Sequence, residues 1–129
     1  MSLPLSESAE AFLAENHVCT LTTVRPDGSP HVAPVRFTWD PDAGLARVMT
    51  AASRQKVRNL LAGPGSRVAV CQAAGPRWIT LEGTATVSDD PQRVVEGARH
   101  YAKRYWSAPP SPAGLVVIEI AVDRAMGLC

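Results

Sequence analysis

HVCTLTTVRPDGSPHVAPVRFTW, residues 17–39, is the stretch whose reading decides the fold. Residues 17–24 are rich in β-branched side chains and read as a strand. RPDGSP follows, and Asp27-Gly28 is a strong hairpin signal, because such pairs supply the positive φ angles that a tight turn between twisted strands needs. The returning run, 31–39, puts His31, Ala33, Val35 and Phe37 on one face of a second strand. Pro34 has no N–H for a ladder, so this strand is expected at an edge, at a bulge or locally opened.

The same alternation continues outward. DPDAG turns into a strand over 45–50, and a helix is expected from about Ser53 to Ala62, with Val57, Leu60 and Leu61 as its packing side, until GPG at 63–65 stops it. RVAVC, 67–71, is a short strand. RWITLEGTATV, 77–87, is the clearest one: Ile79, Leu81, Gly83, Ala85 and Val87 alternate with polar neighbours, and Gly83 marks a bulge or a close backbone approach. Asp89 or Asp90 caps a longer helix to about Trp106, and 115–122 is a final strand. A short first helix, capped by Ser6 or Ser8, runs to about Asn16. The prediction is a mainly β protein with short helices, a six- or seven-stranded antiparallel split barrel occupying 1–129 as one domain. Hairpins and short connections argue against a doubly wound parallel sheet, which needs repeated crossovers.

A chain of 129 residues with 46% hydrophobic and 19% charged residues can bury a real core. No apolar run reaches the roughly 20 residues of a membrane span, and no signal-peptide pattern opens the chain, so a cytoplasmic location without membrane association is expected. Cys19, Cys71 and Cys129 are widely spaced, with no histidines at zinc-site spacing, which predicts neither a metal site nor a disulfide framework. A net charge of +1 gives no reason to expect a nucleic-acid partner.

The distribution of charge says more than its sum. From Ala43 to Leu81 there are six basic residues (Arg47, Arg54, Lys56, Arg58, Arg67 and Arg77) and no acidic one. A helix beginning at Ser53 would present free backbone N–H groups and the positive end of its dipole, with Ser53 as cap or anion contact, beside the strand that ends at Met49 and Thr50. Arg54 and Arg58 share a face, Lys56 projects elsewhere, and Asn59 offers an amide. Two readings follow: an anion site, or a solvated basic face whose acids arrive from elsewhere in the fold. Trp78 beside Arg77 borders a planar ligand or packs at a strand end. Tyr101, Lys103, Arg104 and Tyr105 line a pocket mouth or form a snorkelling helix surface.

No nucleophile triad, P-loop, dinucleotide fingerprint or pair of acid/base carboxylates is visible, so no catalytic side chain is nominated. An enzyme built from these residues needs a cofactor to carry the reactive centre.

Three pieces together, LTTVRPDGSPHVAPVRFTWD (21–40), VMTAASRQKVRNLLAGPGSRVAV (48–70) and RWITLEGTATV (77–87), resemble the split-barrel flavin and deazaflavin oxidoreductases related to pyridoxamine 5'-phosphate oxidase. The resemblance spans about residues 8–122 and is greatest to the small F420-dependent branch that includes biliverdin reductases. It implies a homodimer with cofactor sites at the subunit interface and hydride transfer from reduced F420 to a conjugated small-molecule acceptor, with biliverdin as one candidate. Phosphate contacts carry over to Arg54 and Lys56, with Ser53 and Asn59 as polar support. Met49 and Thr50 would run beside the deazaflavin, His31, Pro34 and Val35 would approach cofactor or substrate, and Arg77 and Trp78 would contribute around the ring or its tail. FMN is the alternative cofactor, since its phosphate would use the same basic segment, and a non-enzymatic flavin- or tetrapyrrole-binding dimer is the other alternative. The long C-terminal arginine-rich strand of true pyridoxamine phosphate oxidases is not found, so that particular activity is not expected.

Overall fold

The computed structural model describes residues 4–129. The hairpin forms as read: β1 (Cys19–Val24) and β2 (Pro30–Val35) pair antiparallel, with Leu21 opposite Ala33 and Thr23 opposite His31. Gly28 turns the corner at φ 87°, and the Asp27 carboxylate accepts the Ser29 N–H at 3.0 Å.

The run 31–39 is not one strand, however. Pairing with β1 ends at Val35 opposite Cys19, where β1 itself begins. Beyond Arg36 the chain finds a different partner, and β3 (Phe37–Asp40) pairs with β4 (Leu45–Ala51). Seven antiparallel strands form one sheet in the order β2-β1-β5-β6-β7-β4-β3, completed by β5 (Arg67–Ala74), β6 (Arg77–Ser88) and β7 (Leu115–Leu128). β2 and β3 thus occupy opposite edges although only Arg36 separates them in sequence. That connection requires the sheet to curl, and the result is the half-barrel of a split-barrel fold. Pro34 sits on the edge strand that its missing N–H predicts.

Inside the curl, Leu21, Phe37, Val70, Leu81, Ile118 and Ile120 are fully buried. α1 (Glu7–Leu13) adds Phe12 and Leu13 to this core; the Ser6 hydroxyl caps it by accepting the Ala9 N–H, and it ends before the expected Asn16. β4 and the first part of β7, through Ile120, are buried on both faces, because α3 (Pro91–Tyr105) covers the side opposite the core. This explains the nearly continuous apolar run of residues 115–118. β7 continues to Leu128, beyond the expected end at Val122. Its added length pairs with β6 across a bulge between Glu82 and Gly83, where a Cβ on Gly83 would lie 2.0 Å from the Ala121 carbonyl oxygen.

α2 (Gln55–Ala62) corrects two readings. Arg54, not Ser53, occupies its N-cap position, and no side chain caps it. Val57 and Leu60 are buried, but Leu61 is exposed; the third inward residue is Asn59. A polar side chain on the packing face was invisible to an apolar-periodicity count.

Candidate functional site

A cleft of about 540 Å³ opens where β2, β4 and the start of α2 converge, with Pro110 and Pro112 of the loop after α3 on its wall. His31 and Pro34 come from the edge strand, Met49 and Thr50 from β4, and Arg54 and Lys56 from the helix start. A second hollow of about 390 Å³ shares Pro34, Met49, Lys56 and Pro110 with it and continues over Val35, Val48, Arg36 and Tyr101. The curl produces this arrangement by bringing residues from the edge strand β2 against β4.

The six basic residues of the central segment divide sharply here. Arg47 pairs with buried Asp40 at 2.8 Å, Arg67 with Asp123 at 2.8 Å, and Arg77 with Glu15 at 2.8 Å. Arg58 donates to the amide oxygen of Gln55 at 2.7 Å. Among the described residues, Arg54 and Lys56 face the cleft without a carboxylate partner. Burial, and then the charge of Arg54, push the Lys56 ammonium below its ordinary pKa. The first turn of α2 contains no acidic residue and no side-chain cap, so its outward N–H groups add to the positive potential. His31 carries a buried Nδ1 with no hydrogen-bond partner among the described residues. The arrangement suits an anionic ligand that also has a flat, partly apolar body lying against Pro34, Val35 and Met49.

Not every expected residue joins this cleft. Ser53 is exposed and lines neither hollow. Asn59 faces inward and donates to Thr23 Oγ1 at 3.0 Å while accepting from Gln55 at 2.7 Å. Arg77 and Trp78 begin β6, whose opposite end, Ser88, pairs with Val117 near the cleft end of β4. Neither Arg77 nor Trp78 lines either hollow. Arg77 is held there by Glu15 and lies over the Phe12 ring, 4.5 Å from its centroid.

The aromatic-basic patch on α3 also divides. Tyr101 lines the second hollow, whereas Arg104 turns inward and donates to the carbonyls of Phe37 and Glu15 and to Gln72. Tyr105 donates to the Phe37 carbonyl at 2.6 Å, and burial raises its hydroxyl well above the usual range. Asp40, Glu96 and His100 bring ligand atoms within 4.8 Å of one another, but Arg47 binds Asp40 and Arg99 binds Glu96. These carboxylates already have cationic partners. Arg36, Tyr101, Pro110 and Pro112 are among the lining residues that the sequence does not assign to a cofactor; Arg36 carries no signal because the run 31–39 reads as one continuous strand.

A family model described as pyridoxamine 5'-phosphate oxidase matches residues 5–129. An F420H2-dependent biliverdin reductase from Mycobacterium tuberculosis (strain CDC 1551 / Oshkosh) is 43% identical over 123 residues, covering 95% of this chain and 88% of that protein. A solved structure described as an F420 reductase superposes with a TM-score of 0.74 at 27% identity, covering 95% of this chain and 98% of the other. A conserved hypothetical protein from Mycobacterium tuberculosis shares the fold with a TM-score of 0.78 at 23% identity, covering 98% and 86% of the two chains.

Proposed function

This chain belongs to the pyridoxamine 5'-phosphate oxidase family of split-barrel oxidoreductases, and on that premise we propose that it is an F420-dependent reductase of a conjugated small-molecule acceptor, with biliverdin the first candidate. The observation that carries the reading is the pair Arg54 and Lys56, left without carboxylate partners at a cleft with a partly apolar wall. The 43% identity to a biliverdin reductase supports the choice of cofactor and acceptor.

In this reading Arg54, Lys56 and the first-turn N–H groups of α2 hold the cofactor phosphate. Pro34, Val35 and Met49 form the wall for its ring system, and His31 Nδ1 supplies a polar contact. When bound, reduced F420 supplies the hydride. The protein's share is to orient the two ring systems, exclude water and place positive charge near the anion that develops on the acceptor. Arginine holds its proton too tightly to serve as the acid, so Arg77 has no part in proton transfer.

The active form proposed is a cytoplasmic homodimer. Trp78, Met126 and Leu128 form an exposed apolar strip on paired β6 and β7, a surface suited to a second copy. Arg77 and Trp78, which line neither hollow of their own chain, would approach a cofactor across such an interface.

The test is anaerobic mixing of the purified protein with reduced F420 and biliverdin, following oxidation of the deazaflavin. Stoichiometric oxidation coupled to loss of biliverdin supports the reading. Turnover with reduced FMN alone would replace the hydride donor, and binding without turnover would make the protein a carrier.

A further inference from the structure

We propose that Arg36 is a specificity-determining residue that anchors a carboxylate on the acceptor; the inference rests on the reading of the cleft as a cofactor and acceptor site. Arg36 is the single residue between the two edge strands, at the point where the half-barrel curls shut. It lines the hollow that extends away from Arg54 along Val35, Val48 and Met49. Its guanidinium donates to the Tyr101 hydroxyl at 3.4 Å and lies 5.4 Å from the centroid of the Tyr105 ring. Those tyrosines rest against each other, with centroids 4.9 Å apart, and both are buried. Among the described residues no carboxylate pairs with Arg36.

An exposed arginine is ordinarily free to wander. This one rests on a buried aromatic pair, so less side-chain freedom is lost when it binds. The planar fork of a guanidinium matches a carboxylate through two parallel N–H···O bonds, a geometry that lysine cannot supply. The continuous cleft therefore has a cationic group at each end: Arg54 with Lys56 at the helix start, and Arg36 at the strand junction, with an apolar wall between. Lys56 borders both hollows and does not discriminate between them. A phosphorylated cofactor at one end leaves Arg36 for a second anion, on a planar acceptor that bears a carboxylate.

The test uses biliverdin, which carries free carboxylates, and its dimethyl ester as probes. Each is titrated by absorbance into the parent protein, Arg36→Ala and Arg36→Lys without cofactor, and F420 affinity is measured separately. We expect Arg36→Ala to weaken biliverdin binding about tenfold and leave the ester unchanged. Arg36→Lys should recover part of the loss, and F420 affinity should stay as in the parent. Equal affinity of the parent for acid and ester, equal weakening of both by Arg36→Ala, or a fall in F420 affinity would overturn the assignment. Failure of the parent to bind F420, with the acid preference dependent on Arg36 intact, would instead sink the reductase reading and leave the carboxylate anchor standing.

Discussion

Asn59 and Thr23 meet inside the protein: the Asn59 amide donates to the Thr23 hydroxyl at 3.0 Å, with both side chains buried, and ties the helix that carries Lys56 to the hairpin that carries His31. The Gln55 amide completes the tie by donating to Asn59 at 2.7 Å. Asn59 therefore positions the site and does not line it. Replacing it with alanine strands the Gln55 donor and removes the helix-to-strand bond. Asn59→Ala should lose about 1–3 kcal/mol in urea unfolding. F420 affinity should fall with it, because Arg54 and Lys56 lose their fixed position.

Lys56 gives the site a pH signature. Its pKa lies below the ordinary 10.5 because burial, then Arg54, disfavour the ammonium. The ammonium is present below that lowered pKa and lost above it, so F420 affinity should decline on the alkaline side earlier than an ordinary lysine would allow. Lys56→Arg should flatten that decline, as measured by fluorescence titration at a series of pH values.

Glu15 gives the fold an acid-side signature. Its hydrogen bonds with Arg77 and then His17 lower its pKa from 4.5 to about 2. A carboxylate depressed in the folded state contributes stability above pH 4.5, and that contribution disappears as pH falls from 4.5 through 2. Thermal unfolding of Glu15→Gln should show a shallower pH dependence in this window than the parent.

Gly83 tests the sheet. The obstacle to a side chain there is backbone, the Ala121 carbonyl oxygen, which cannot swing aside as a flexible side chain would. Gly83→Ala should destabilise the protein by about 1–3 kcal/mol, read as a lower urea midpoint with an unchanged slope.

Much of this architecture was legible in local pattern. Asp27-Gly28 specified the hairpin, and the alternation from Ile79 to Val87 specified β6 and its inward face. Gly83 marked the bulge. What local pattern could not convey was partner choice. The run 31–39 has unbroken strand character, yet Arg36 divides it because β1 begins at Cys19 and leaves nothing beyond Val35 to pair with. Charge behaved the same way. Six basic residues share one acid-free segment of the chain, with Arg54 and Lys56 set apart only by the family resemblance; the fold brings Asp40, Glu15 and Asp123 to Arg47, Arg77 and Arg67 and leaves Arg54 and Lys56 at the cleft. The resemblance gives Asn59 as polar support for a phosphate, and no local pattern reveals its inward partner Thr23, 36 positions away.

The most direct test of the account is equilibrium dialysis of the purified protein and of Lys56→Ala against F420 and, separately, FMN. The parent is expected to prefer F420, and Lys56→Ala to bind it about tenfold more weakly while unfolding at the same temperature. Preference for FMN would contradict the proposed hydride donor, and equal F420 affinity in parent and variant would contradict the phosphate role of Lys56.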